Sequence, residues 1–384
     1  MSASGRAQAL AWPDALIGYT EYRTNLPGGR QVNVMTMRAI VVKADGTGRR
    51  AMAEDLTREP NTWTQFAGWS PDGSIAILSR CWESSENAKW EEQHKTFRFT
   101  KEGWLCDCYL LDIASRKATN ATAVERVSFY NAGLLFWPGD PTKLGFQAMV
   151  GGNIHPFVMD RNGNNKRDLT KGIKGFTYGA NPSPDGKRIV YHEDYQLYFA
   201  DADGANAKHV KTGHPFNFVP LWSPDGAWVV FLAGQQGSPN CHPHIIRADG
   251  TSLRKLADRN GYLGAVEILD VADFHGGSSD YPVWSADGRW VFYTAKVGGN
   301  VELFRTSLDG KTEQLTNGPA GTLHYHPQSS PDGKWLVYGS KRNGIRQLYV
   351  MYLDDKKERR ITDLKEGRAA MWPYWQPAGK KPGK

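Results

Sequence analysis

Apolar and polar residues alternate along most of this chain in short runs, as in "KWLVYGS" (334–340), "QLYVMYLD" (347–354) and "QLYFADAD" (196–203). A period of two marks a strand with one face more buried than the other, and the Val, Tyr and Trp in these runs suit a pleated surface. The runs share a common punctuation. A turn of the type W-S-P-D-G recurs in "FAGWSPDGSIAILS", "ANPSPDGKRIVYHE", "VPLWSPDGAWVVFLA", "YPVWSADGRWVFYTA" and "HPQSSPDGKWLVYGS", with "LLFWPGDPTKLGFQA" as a looser copy. The turn residues are Ser70, Trp137, Ser183, Ser223, Ser285 and Ser330, spaced 40 to 67 residues apart, so a unit of 40 to 46 is interrupted by two long insertions. Pro-Asp-Gly supplies a tight hairpin, and each unit holds four such runs, which predicts a four-stranded antiparallel propeller blade.

The two ends complete one another. "MWPYWQP" (371–377) matches the strand that precedes the turn elsewhere, while "LIGYTEY", "TMRAIVVKADG" and "RRAMAEDL" match the other three. The expectation is therefore all-β: one seven-bladed β-propeller over residues 1–379, four antiparallel strands per blade, its ring closed by the C-terminal strand completing the first blade. Residues 380–384 form a flexible basic tail. The W-S-P-D-G-K unit resembles the TolB-type (PD40, WD40-like) propeller repeat, which implies fold and leaves function open, because propellers host scaffolds, binders and enzymes alike.

Composition narrows the class. Of 384 residues, 40% are hydrophobic and 23% charged, as in a soluble globular protein. The formal charge of +7 is spread along the chain, with a basic run only in "KKPGK", so nucleic acid is not expected as a partner. No apolar run reaches the ~18 residues that span a bilayer. The N-terminus lacks a signal-peptide core: the compartment is the cytoplasm if Met1 is native, the periplasm or exterior if a signal was removed. Cys106 and Cys108 share one strand face and Cys81 ends the preceding strand. A bridge from Cys81 to either is allowed by geometry, and free thiols are the expectation.

Propeller topology puts the longest connections (23–33, 80–104, 233–244 and 257–278) on one face, where a ligand site is expected. Five histidines map there. His242 and His244 come from "NCHPHII", His275 from "DFHGGSSDYPVW", and His324 and His326 from "LHYHP". Residues two apart on a strand point the same way, so the H-x-H pair and His275 are candidate ligands for a divalent metal at the channel mouth. His155, in "NIHPF", lies on the same face as a substrate contact. "DADGANAK" and "DRNGNNKR" imitate calcium loops, but similar turns recur in most blades and hairpin chemistry explains them. "HGGSSD" lacks a G-x-S-x-G partner and does not make a serine hydrolase.

The histidine arrangement resembles that of the oligogalacturonate lyases, seven-bladed propellers of about this length. The resemblance implies a metal such as Mn2+ held by His275, His324 and His326, although Gly321 stands where that family has a glutamine ligand. It further implies β-elimination from an anionic, uronic-acid-containing oligosaccharide. His242 would be the base, with His244 in reserve, and the metal and Arg368 would neutralise the uronate. Arg23, Arg30, Arg80 and Trp82 are candidate substrate contacts. The alternative is a non-catalytic TolB-like scaffold that docks a protein or peptide over the channel.

Overall fold

The computed structural model describes residues 12–124, 126–127, 134–170 and 175–377; Met1 and the tail 380–384 lie outside them. The architecture is all-β and propeller-like. Five four-stranded antiparallel sheets follow one another in chain order, for example Thr62–Trp69, Ile75–Glu83, Trp104–Asp112 and Ala118–Asn120. Among the described residues a two-stranded sheet pairs Ala265–Val266 with Ser278–Ser279, and an eight-stranded sheet holds the remaining strands. One half runs from His324–Ser329 to Glu358–Arg360, and the other joins Arg368–Trp375 to Leu16–Arg23, Arg38–Lys43 and Arg50–Ala51. A single parallel bridge, Arg346↔Ala369, links the halves, whereas the two ends of the chain pair from Ile17↔Trp375 to Arg23↔Arg368.

The recurring turn explains its own composition. In each of five copies the serine hydroxyl donates to the turn aspartate, at 2.5–2.7 Å for Ser70–Asp72, Ser183–Asp185, Ser223–Asp225, Ser285–Asp287 and Ser330–Asp332. The glycine that follows adopts φ near +70°, which a side chain rarely tolerates. The tryptophan before the turn ties sheets together. Trp69, Trp222, Trp284 and Trp375 each donate their indole N–H, at 3.0–3.1 Å, to a carbonyl on a neighbouring sheet's inner strand: Tyr374, Asn181, Leu221 and Gln328 respectively. An indole fills the apolar space between two sheets and satisfies a strand-end carbonyl at once.

The inner strands also share a defect. Their register breaks just before the turn, and the residue four before the turn serine or its equivalent takes a left-handed backbone: Gly179 (φ 69°), Val219 (48°), His326 (49°) and Trp372 (53°). Such β-bulges re-aim a side chain, and a positive φ is strained for any residue but glycine. Two helices interrupt the pattern, α1 (Arg30–Val34) and α2 (Ser85–His94).

One expectation is corrected. Cys81 and Cys106 face each other across adjacent strands, with Cα atoms 4.2 Å apart, and form a disulfide; Cys108 and Cys241 are buried and take no part in it. Direct cross-strand pairing brings Cβ atoms within bonding reach, while Cys108 pairs with Ser79 instead.

Candidate functional site

Three of the bulged residues, Val219, His326 and Trp372, line a cleft at the loop-bearing end of the inner strands. Val219, Tyr281, His326 and Trp372 form its floor, each followed by a residue of the strand end that precedes a turn. Three insertions wall it. Helix α1 contributes Arg30 and Val34, the α2 insertion Phe97 and Trp104, and the 257–278 insertion Ile268 and His275.

Arg30 is the cation of this lining. It is 5% exposed and its Nη2 donates to Glu83 at 2.8 Å and to Glu91 at 2.7 Å, while its guanidinium lies over Phe97, Trp104 and Phe274 at 5.3–5.7 Å. Burial pushes the Glu83 carboxyl up, Arg30 opposes this and Glu91 adds to it, so that it titrates at about 7. Two carboxylates hold one arginine, which therefore carries no free charge into the cleft.

His326 sits in the floor, 8% exposed. Its backbone N–H donates to Asp280 Oδ1 at 3.2 Å, and Asp280 in turn accepts from Thr294 Oγ1 at 2.5 Å. The imidazole Nε2 lies 3.2 Å from the Ser279 carbonyl and 3.3 Å from Ser278 Oγ, which also accepts from the Trp372 indole at 3.1 Å. Its Nδ1 is buried with no hydrogen-bond partner. Burial holds this histidine below its ordinary pKa, with Asp280 partly offsetting. His275 also lines the cleft, its ring edge-on to Phe97 at 5.2 Å, and burial lowers its pKa too.

The other sequence candidates lie elsewhere. His324 is fully buried behind the cleft, its Nε2 3.2 Å from Glu302 Oε2. Burial alone would raise the Glu302 pKa, but His324, Thr316, the Gly318 N–H and Asn300 outweigh it and hold it at about 2. The bulge separates the two histidines: Tyr325 lies flat on Gly339, and the chain then turns left-handed at His326. The alternation expected of H-x-H is broken there. His242 accepts from the Arg259 N–H at 3.3 Å and approaches Asp258 at 3.7 Å; His244 turns back on the His242 carbonyl, with burial lowering it to about 4. His155 is bound to Asp168 at 2.7 Å. Arg368 pairs with Glu21, Arg80 with Glu59, and Arg23 with Asn25 and the Gly367 carbonyl. Trp82 lies between Thr62 and Leu105 on its sheet. None of these eight borders the cleft.

The donor set does not fit a bound divalent metal. Among the described residues no three His, Cys, Asp or Glu side chains converge closely enough to hold one, and His324 faces Glu302 rather than His326's cleft. Sequence reasoning missed Asp280, Trp372 and the floor as a set. Its signal was present: "VPLW", "YPVW", "HPQS" and "WPYW" place a proline after each floor residue.

Residues 192–382 match the TolB β-propeller domain model. Over those residues, just under half of its length, the chain is similar to a TolB β-propeller domain. An uncharacterised protein of Agrobacterium fabrum is 30% identical over 187 residues, 46% of this chain and 59% of that one. The Tol-Pal system protein TolB of Bordetella pertussis is 27% identical over 146 residues, 30% of this chain and 33% of its own. The chain thus spans under two thirds of the length of these relatives. Among solved structures, TolB from Acinetobacter baumannii aligns at TM-score 0.52 and 17% identity, covering 94% of this chain and 66% of that one. An oligogalacturonate lyase in complex with manganese aligns at 0.57 and 16%, covering 93% and 89%. At these identities the likeness shows the fold alone.

Proposed function

We propose that this TolB-like propeller is a closed ring of seven blades whose cleft binds a neutral oligosaccharide without a metal ion. Seven blades are supported by the five four-stranded sheets together with the two four-stranded halves of the eight-stranded sheet, and closure by the pairing of the chain's ends. The observation that carries the function is the lining itself. The aromatic side chains of Trp63, Phe97, Trp104, Phe218, Trp372 and Tyr374 line the cleft together with Gln65, Ser278, Ser279 and Gln328; its arginine is held by two carboxylates, and its carboxylate, Asp280, is occupied by the His326 N–H and the Thr294 hydroxyl. Aromatic faces take up the apolar faces of sugar rings, and short polar groups take up hydroxyls. A uronate would meet no free cation there, which disfavours the anionic substrate implied by the lyase resemblance. The Cys81–Cys106 bridge supports residence in an oxidising compartment.

Tryptophan fluorescence of the full chain, titrated with neutral gluco-, galacto-, manno- and xylo-tetrasaccharides and with oligogalacturonides, tests this. The expected result is saturable quenching by a neutral tetrasaccharide, unchanged by EDTA. Turnover of an oligogalacturonide, read as growing absorbance of an unsaturated uronate, overturns it in favour of the lyase. Silence with every sugar, alongside saturable binding of a peptide, overturns it in favour of the docking scaffold.

A further inference from the structure

We propose that His326 is the specificity-determining acceptor of the cleft, its Nδ1 taking a hydrogen bond from a ligand hydroxyl at the position where the lyase resemblance implies a metal bond. This rests on the saccharide reading above. Three observations carry it.

The first fixes the tautomer. A carbonyl oxygen only accepts, so the 3.2 Å contact between Nε2 and the Ser279 carbonyl requires the proton on Nε2. Ser278 Oγ, 3.3 Å from the same nitrogen, accepts from Trp372 and has no cause to reverse this. A neutral imidazole carries one N–H, so Nδ1 presents a lone pair. The groups facing the ring agree: Asp280 binds the backbone N–H of His326, and no carboxylate is hydrogen-bonded to Nδ1.

The second is that this lone pair is buried and unpartnered in a residue that lines the cleft. A buried acceptor left empty costs free energy that a donor from the ligand returns. The third is the backbone. His326 is held at φ 49°, as Val219 is held at 48° at the equivalent position two sheets earlier. The strained geometry is therefore a property of the repeat, and the imidazole is the particular feature of this copy. Beside it the Trp372 ring lies 6.1 Å away and within 25° of parallel, so that a sugar ring resting on one places its hydroxyls near the other. The chemistry selected is a hydroxyl donor beside an apolar ring face.

Two substitutions separate acceptor from scaffold. In His326→Asn the amide oxygen stands where Nδ1 stood, and asparagine tolerates a left-handed backbone. In His326→Gln the amide N–H reaches the Ser279 carbonyl and the acceptor is lost. Titration of both full-length variants with the neutral tetrasaccharide that binds wild type, after thermal unfolding has shown them folded, is expected to give binding within about threefold of wild type for Asn and at least about tenfold weaker for Gln. Equal binding by wild type and the Gln variant overturns the inference and leaves the saccharide reading standing. Stoichiometric Mn2+ binding by wild type that is lost in both variants overturns it in favour of a metal ligand. Failure of every tetrasaccharide to bind wild type overturns both readings together.

Discussion

The floor of the cleft is made by the repeat, and its walls by the insertions that interrupt the repeat. In the floor, Val219 and His326 occupy equivalent bulges with the same left-handed backbone, and only the side chain differs. The scaffold holds the position and leaves one residue free to carry chemistry. The walls work the other way. Arg30, Glu83 and Glu91 come from α1, a strand end and α2, and bind one another rather than anything in the cleft. Charge there fastens the insertions together.

The comparison breaks most severely at Gly339. Its missing side chain is where the Tyr325 ring lies, and a methyl group built on it falls inside that ring. Gly339→Ala should therefore expel Tyr325 and destabilise the protein by about 3 kcal/mol in denaturant unfolding, while the equivalent strand of the Val219 sheet is unaffected.

The walls should reveal themselves through pH. Glu83 titrates higher folded, at about 7, than the 4.5 of an ordinary glutamate, so the folded state binds more protons between these values. Stability then falls as pH rises through that window, by about 3 kcal/mol in all. Thermal unfolding from pH 4.5 to 8 should show this decline in wild type, and Glu83→Gln should flatten it. The cleft histidines act with the opposite sign. Burial lowers the folded pKa of His275 and His326, so the stability they contribute is present above the ordinary histidine value and is lost as pH falls below it. A Glu83→Gln curve that still declines above neutral pH would place the titrating group elsewhere.

How much of this was legible in the sequence follows the same division. The strands and the turns could be read because Ser-Pro-Asp-Gly and period-two alternation act locally. The H-x-H pair misled because alternation presumes a regular strand, and the bulge common to several inner strands gives His326 a left-handed backbone. His242 and Arg368 do not border the cleft, and their partners Asp258 and Glu21 come from other segments that no local pattern announces. The proline after each floor residue was the overlooked clue.

Exchanging floor residues gives a milder test. His326→Val should fold to within about 1 kcal/mol of wild type, since the Val219 copy already tolerates that backbone, yet bind the tetrasaccharide about tenfold more weakly in fluorescence titration. The smallest effect belongs to the ties between sheets. Trp222→Phe keeps the packing and removes the bond to the Asn181 carbonyl, and should cost about 1 kcal/mol of unfolding free energy without altering binding.

The protonation of His326 is the point on which the floor's chemistry turns, and nitrogen NMR of protein labelled with 15N-histidine observes it directly, with His326→Gln assigning the signal. Near neutral pH the account predicts a neutral ring protonated at Nε2, with an unprotonated Nδ1 that shifts on addition of the bound tetrasaccharide and does not respond to EDTA. A ring protonated at Nδ1, or an Nδ1 signal abolished by stoichiometric Mn2+ and restored by EDTA, would contradict it.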